Sequence, residues 1–250
     1  MSYVSAHRIF VLPHRISVSA ITVDDPRQVH HLRNVLRVRI GDPLICADGA
    51  GREYAGVVSR STSRALSIRI EGQRTAPADA LRLWLVQGLP KGDRLEWIVQ
   101  KAVELGAARI SPVVTRHTVV RVSASQSQAK QTRWQRIAQE AAQQCGQARL
   151  PVVDAPQPLE AVLPRLAEAE LVLMPTLAVT TIPLRDVLGD RAQAREVAVL
   201  IGPEGDFAPE EVGQAERYGA RPVSLGRLTL RTETAAVAAL AMIRYALNRE

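Results

Sequence analysis

At 250 residues, with 46% of them hydrophobic, the chain has enough apolar material for one large domain or two modest ones, which excludes a disordered protein. A net charge of +7 points to a polyanionic partner, because clustered Arg and Lys neutralise phosphates and release counterions. No apolar run approaches the roughly 20 residues of a membrane helix, the start lacks the basic-then-apolar layout of a signal peptide, and Cys46 and Cys145 stand far apart without His or Cys at ligand spacing. The expectation is a cytoplasmic protein with no membrane span, metal or disulfide.

The basic charge is concentrated at the front, where residues 1–74 hold 11 Arg, no Lys and 6 acidic residues, +5 of the total. "HRIFVL" opens as a strand. "QVHHLRNVLRV" places Val29, Leu32, Val35 and Leu36 at helical spacing, with Arg33 and Arg37 four apart on the other face. His30 and His31, paired at the expected helix start, suit packing or capping more than RNA contact. "DPLICADGAGREYAGVVSR" reads as strand, Asp-Gly turn and strand, and "ALSIRIEG" as a further strand. The pattern predicts a small β-barrel over 1–73 and a polar linker over 74–80.

From residue 81 to 250 strands and helices alternate, the pattern of an α/β domain with a mostly parallel sheet. "LRLWLVQGL" is a strand and "KGDRLEWIVQKAVELGA" an amphipathic helix stopped by Gly106. "RISPVVT" is a strand, and "SQAKQTRWQRIAQEAAQQCG" is a long helix ending at Gly146. Later strands are expected at 170–175, 196–202 and 222–226, and helices at "PEEVGQAERYG" and "TETAAVAALAMIRYAL". Trp84, Trp97 and Trp134 all fall within apolar patterns and are expected in the core.

Two strand-end loops carry the chemistry. In open α/β sheets ligands sit beyond the carboxyl ends of the strands, and "IGPEGDF" follows such a strand. It is a poor phosphate cradle, since Glu204 and Asp206 repel phosphate and Pro203 lacks a backbone donor. "SLGRLTLRTETAA" also leaves a strand and enters an Ala-rich helix, with Thr232 or Thr234 available as a cap. Two such loops separated by one helix can line a pocket whose backbone groups read a heterocycle, with Arg231 and Glu233 beside it.

"IGPEGDFAPEE" followed by "LGRLTLRTETAAVAAL", together with "HHLRNVLRVRIGD", "LPKGDRLEWIVQKAVELGAARISPVVTRHTVVR" and "RWQRIAQEAAQQCGQARLP" in order, resembles the RsmE family. These are bacterial 16S rRNA uridine-N3 methyltransferases of the SPOUT superfamily, and the resemblance spans essentially the whole chain. It implies a PUA-like RNA-binding barrel joined to an α/β domain with a C-terminal trefoil knot, acting as a homodimer on 16S rRNA within the small ribosomal subunit, with S-adenosylmethionine as cofactor.

Carried onto matching positions, the resemblance assigns cofactor binding to Leu200, Ile201, Gly202, Pro203, Glu204, Gly205, Leu225, Gly226, Leu228, Leu230, Arg231 and Thr232. Leu200, Ile201, Leu225 and Leu230 are expected as apolar walls for adenine, and a carboxylate at Glu204 suits a cationic sulfonium. Arg231 is expected to stabilise the developing uracil anion, and Glu233 to act as a base or merely as a first-turn carboxylate. Arg33, Arg37, Lys91, Arg94 and Arg116 are expected on RNA, with Arg121 and Arg149 as further basic positions. Departures from the family pattern are Asp206 where a second Gly is common, Ala208 in place of a Ser or Thr cap, and Gln143 and Gln147 for Glu and Arg. Two other readings are a related enzyme acting on tRNA or a ribose hydroxyl, and a non-catalytic RNA-binding protein of the same fold.

Overall fold

The structure, a computed structural model, describes residues 6–120 and 123–247. It divides into two compact units, Met1–Ala78 with Ala142–Leu150, and Asp79–Ala141 with Pro151–Glu250.

The first unit holds strands β1 (His7–Phe10), β2 (Ala20–Val23), β3 (Pro43–Ala47), β4 (Arg52–Ser61) and β5 (Leu66–Thr75) in the order β1-β3-β4-β5-β2. β1 lies parallel to β3 and the remaining pairs are antiparallel. Alternating residues such as Leu44, Cys46, Leu66 and Ile68 form its core. The Asp-Gly turn forms as expected: the Asp48 carboxylate accepts from the Ala50 and Arg52 amides at 2.7 and 3.0 Å. Arg149 donates to the Ala50 carbonyl, and the Leu150 amide donates to Gly49 at 2.9 Å. These bonds explain why 142–150, expected in the second domain, belongs to the first unit.

Three expectations for this unit need correction. The linker does not begin at 74, because Arg74 and Thr75 still pair with Glu53 and Arg52 in the β4–β5 ladder. Arg74 also pairs with Glu53, which is 2% exposed and held from another side by Arg8. The helix begins earlier than predicted, as α1 (Pro26–His30), because the Asp25 carboxylate caps the Gln28 amide at 2.9 Å. It continues as a π-turn over His31–Val35 and stops at Arg37, whose φ is 55°. Arg37 is therefore the left-handed residue that ends the helix and does not share a helical face with Arg33. His30 and His31 are both exposed, and His30 Nδ1 lies 2.9 Å from the Asn34 amide nitrogen.

The second unit contains β6 (Arg82–Gly88), α2 (Arg94–Glu104), β7 (Ala107–Val114), α3 (Ala124–Cys145), β8 (Val152–Val153), β9 (Gln157–Pro158), α4 (Leu159–Val162), β10 (Leu171–Pro175), β11 (Ile182–Pro183), α5 (Leu184–Asp190), β12 (Glu196–Ile201), α6 (Pro209–Glu216), β13 (Ala220–Ser224) and α7 (Thr232–Leu247). Seven strands follow the order β11-β13-β10-β12-β6-β7-β8, with β9 beside β7, and every pairing is parallel. One face buries Trp84, Val86, Ala198 and Leu200 beneath Phe207 and Val212, and α7 packs against β6, β12 and α2. Both faces are covered, so β12 reads as a continuous apolar run. Gly106 and Gly146 end their helices at φ 81° and 84°.

Trp84 and Trp134 are buried as expected, but Trp97 is 45% exposed on α2. The Trp84 indole donates to Ser111 Oγ at 2.7 Å, and the Arg109 guanidinium lies 5.2 Å above its ring. Arg109 is forked onto Asp154, with both bonds at 2.8 Å. Among the described residues no helix is long and apolar enough to cross a membrane, and no cluster of His, Cys, Asp and Glu is arranged to hold a metal.

Candidate functional site

Because the strands run parallel, the ends of β10, β12 and β13 reach one edge of the sheet. A cavity of about 380 Å³ opens there. Its walls are 175–177 after β10, Ile201 to Glu204 and Asp206 after β12, and 223–226 with 228–232 after β13. Its size falls within the range of small-molecule sites.

The loop after β12 is fixed from several sides. The Asp206 amide donates to the Pro203 carbonyl at 3.0 Å, closing a turn. Asp206 has φ 58°, so it carries the left-handed backbone expected at this position. Its Oδ2 accepts from Thr176 Oγ1 at 2.9 Å and from the Leu177 amide at 2.6 Å, while Oδ1 accepts from the Phe207 amide at 2.8 Å. Two glycines let neighbouring backbone approach. A Cβ on Gly88 would lie 2.7 Å from Pro203 N, and one on Gly202 would lie 3.0 Å from Asp206 Cα.

Thr232 is the first residue of α7, and its hydroxyl does not cap the helix. It donates to the Gly202 carbonyl at 2.6 Å and accepts from Gln87 Nε2 at 3.0 Å, joining the two loops. Gln87 is fully buried at the end of β6. The sequence pattern passed over it, although a lone amide in the apolar run "LWLVQGL" has polar atoms to satisfy once buried; its Nε2 is bonded, whereas its Oε1 has no partner among the described residues.

The structure brings Ile201, Gly202, Pro203, Glu204, Leu225, Gly226, Leu228, Leu230, Arg231 and Thr232 together on the cavity wall. Leu200 and Gly205 are not there. Strand alternation turns the Leu200 side chain into the core with Trp84 and Phe207, opposite to Ile201. Gly205 faces His117, whose Nδ1 lies 2.8 Å from the Gly205 carbonyl and so must be the donor. Leu228 is 81% exposed, so it contributes a rim and not a buried wall.

Glu233 is likewise off the wall. Its Oε1 lies 3.9 Å from Arg94 Nε, and its Oε2 is buried with no hydrogen-bond partner among the described residues. Arg94, expected on phosphate, lines the cavity and pairs with Glu204, whose carboxylate also accepts from the Lys91 amide at 3.0 Å. Burial pushes the Glu204 carboxyl up, but the Lys91 amide and Arg94 outweigh this and hold it below the usual carboxylate range. Arg94 thus faces two carboxylates, Glu204 and Glu233, and one cation is shared between them.

The Arg231 guanidinium, exposed at the cavity edge, makes no ion pair among the described residues. The Lys91 side chain is exposed, as are Arg33 and Arg37. Arg116 is exposed too: its guanidinium reaches Glu210 at 3.2 Å, and its amide donates to Glu211 at 2.8 Å. Glu211 also accepts from the Ala208 amide at 2.8 Å, supplying half of a capping box where Ala208 has no side-chain acceptor. Arg121 lies outside the described residues.

Residues 77–244 match the family model of an RNA methyltransferase domain, and residues 23–71 that of an RNA methyltransferase PUA domain. The chain is 33% identical to a ribosomal RNA small subunit methyltransferase E from Synechocystis, over 99% of this chain and 80% of the relative. A Legionella pneumophila structure with bound cofactor SAM superposes with a TM-score of 0.86 at 31% identity, covering 97% of this chain and 98% of that one. A ribosomal RNA small subunit methyltransferase E from Neisseria gonorrhoeae, bound to S-adenosyl methionine, gives 0.84 at 29% identity, covering 96% and 98%.

Proposed function

The chain belongs to the ribosomal RNA small subunit methyltransferase E family, and from that premise we propose that it transfers the methyl group of S-adenosylmethionine to N3 of a uridine in 16S rRNA. The observation that carries this reading is the cavity at the strand ends, within the matched methyltransferase domain. Its composition fits the cofactor: Ile201, Leu225 and Leu230 offer apolar surface to an adenine, and Gly226, with nothing within 4 Å of where a Cβ would stand, leaves its backbone open to close approach. Pro203 and Glu204 make it unsuitable for a phosphate.

S-adenosylmethionine supplies an electrophilic methyl group. The protein's own task is to align the uracil ring and to manage its N3 proton, which must leave as the N–C bond forms and the C–S bond breaks. Arg231, at the cavity edge and without a carboxylate partner among the described residues, is a group able to stabilise negative charge spreading onto the uracil carbonyl oxygens.

The reading extends to the assembly. The order β13-β10-β12-β6, with α7 returning onto β6 and β12, supports a C-terminal segment threaded as a trefoil knot. Met242 and Tyr245 on α7, 43% and 92% exposed, supply apolar surface for a second copy in a homodimer. The exposed Arg33 and Arg37 of the basic first unit are suited to RNA phosphates, and the small ribosomal subunit in the cytoplasm is the setting in which its substrate would be met.

The deciding experiment is mass-spectrometric mapping of small-subunit rRNA from cells with and without the protein. A single 3-methyluridine lost with the gene and restored by it is the expected result. A change confined to tRNA or to a ribose hydroxyl would transfer the enzyme to another substrate class, and unchanged RNA with no cofactor uptake would make it a binding protein.

A further inference from the structure

Asp206 stands where a glycine would carry the backbone most easily, and its side chain bridges two walls of the cavity. The residue belongs to the loop after β12, whereas Thr176 and Leu177, which donate to its Oδ2, belong to the loop after β10. All three line the cavity. Thr176 is buried and holds its own segment by accepting from the Ala178 amide at 3.1 Å. The backbone that Asp206 anchors is tied to the opposite side as well, since Gly202, close against it, accepts from Thr232 on α7. One carboxylate thus connects the wall made by β10 to the walls made by β12 and α7.

We propose that Asp206 is a positioning residue for the cofactor, acting through Thr176 and Leu177 to hold the 175–177 wall against the 201–206 wall. The proposal rests on the reading of the cavity as the S-adenosylmethionine site. A glycine would satisfy φ 58° with less strain but would leave the Leu177 amide and the Thr176 hydroxyl without their acceptor. The side chain therefore contributes bonds between two walls of the site that a glycine could not make.

The test is titration of S-adenosylmethionine into the full-length protein and its D206G and D206N variants, alongside thermal melts, steady-state kinetics and hydrogen exchange at Leu177. For Asp206→Gly the expected result is cofactor affinity about tenfold weaker, the scale of one charge-assisted hydrogen bond. Turnover at saturating cofactor should be kept, the melting temperature should fall modestly as the bonds to Thr176 and Leu177 are lost, and the Leu177 amide should exchange faster. Asp206→Asn, which also tolerates the left-handed backbone and retains one acceptor, should fall between the two. Wild-type affinity in Asp206→Gly would overturn the proposal and leave the functional reading intact. So would an affinity loss with Leu177 exchange left at the wild-type rate. A wild-type protein that takes up no S-adenosylmethionine would overturn the functional reading and this proposal with it.

Discussion

Glu53 in the first unit and Glu204 in the second are both carboxylates held by arginine, and both lie below the usual carboxylate range. Around Glu53 burial pushes the carboxyl up, and Arg8 and Arg74 more than reverse it. Around Glu204 the same contest is won by the Lys91 amide and Arg94. Their surroundings differ. Glu53 is 2% exposed among strands, whereas the Glu204 side chain is 29% exposed and sits on a cavity wall. An arginine–glutamate pair is thus a fixture of a sheet in one place and a means of shaping a ligand site in the other, because the cost of losing a partner depends on how much water can replace it.

Glu53→Ala is expected to give the largest effect, about 3–5 kcal/mol of lost stability in chemical denaturation, since it leaves Arg8, whose side chain is 12% exposed, without its counter-charge. Glu53 has a lowered native pKa, so its contribution is complete above the ordinary value of 4.5 and disappears as the pH falls through the native value. A Glu53→Gln protein should lack this acid-side loss.

Next comes Arg231→Ala, which removes an arginine that, unlike Arg8 and Arg94, has no carboxylate partner among the described residues. Turnover should fall roughly 100-fold with cofactor affinity retained, as measured by single-turnover methylation and titration. Normal turnover would remove it from the mechanism. Glu204→Gln should cost under about 1 kcal/mol in a melt, because water can solvate Arg94, while weakening cofactor uptake. If it destabilised the chain as much as Glu53→Ala, the contrast between the two sites would fail. Leu228→Ala, at an 81% exposed position, should change stability by no more than about 0.5 kcal/mol.

The sequence made the skeleton of both units legible where a local signal was strong. The run "EVAVLI" and the Ala-rich "TETAAVAALAMIRYAL" match β12 and α7, and Gly106 and Gly146 mark real helix ends. Shorter elements carried no such signal: β2, β8, β9 and β11 are two to four residues long, too brief to establish a period. At the site, both loops were readable from their glycines and strand-end positions. Which side chains face the cavity was not, because β12 is apolar on both faces and nothing in the run "VLI" separates Leu200 from Ile201. Arg94, Glu204 and Glu233 lie far apart in sequence, so their pairing emerges only once α2 and α7 are packed. Asp206 was recognisable as an unusual residue, but its partners Thr176 and Leu177 lie 30 and 29 positions away.

The two cysteines acquire a practical meaning from their placement. Cys46 is enclosed in the sheet of the first unit, and burial pushes its thiol up to about 12, so at neutral pH it offers almost no thiolate to an alkylating reagent. Cys145, at the exposed end of α3, is the position a maleimide would find. The native chain thus comes with one addressable attachment point, at which a fluorophore or spin label could report on RNA association without prior removal of the other thiol.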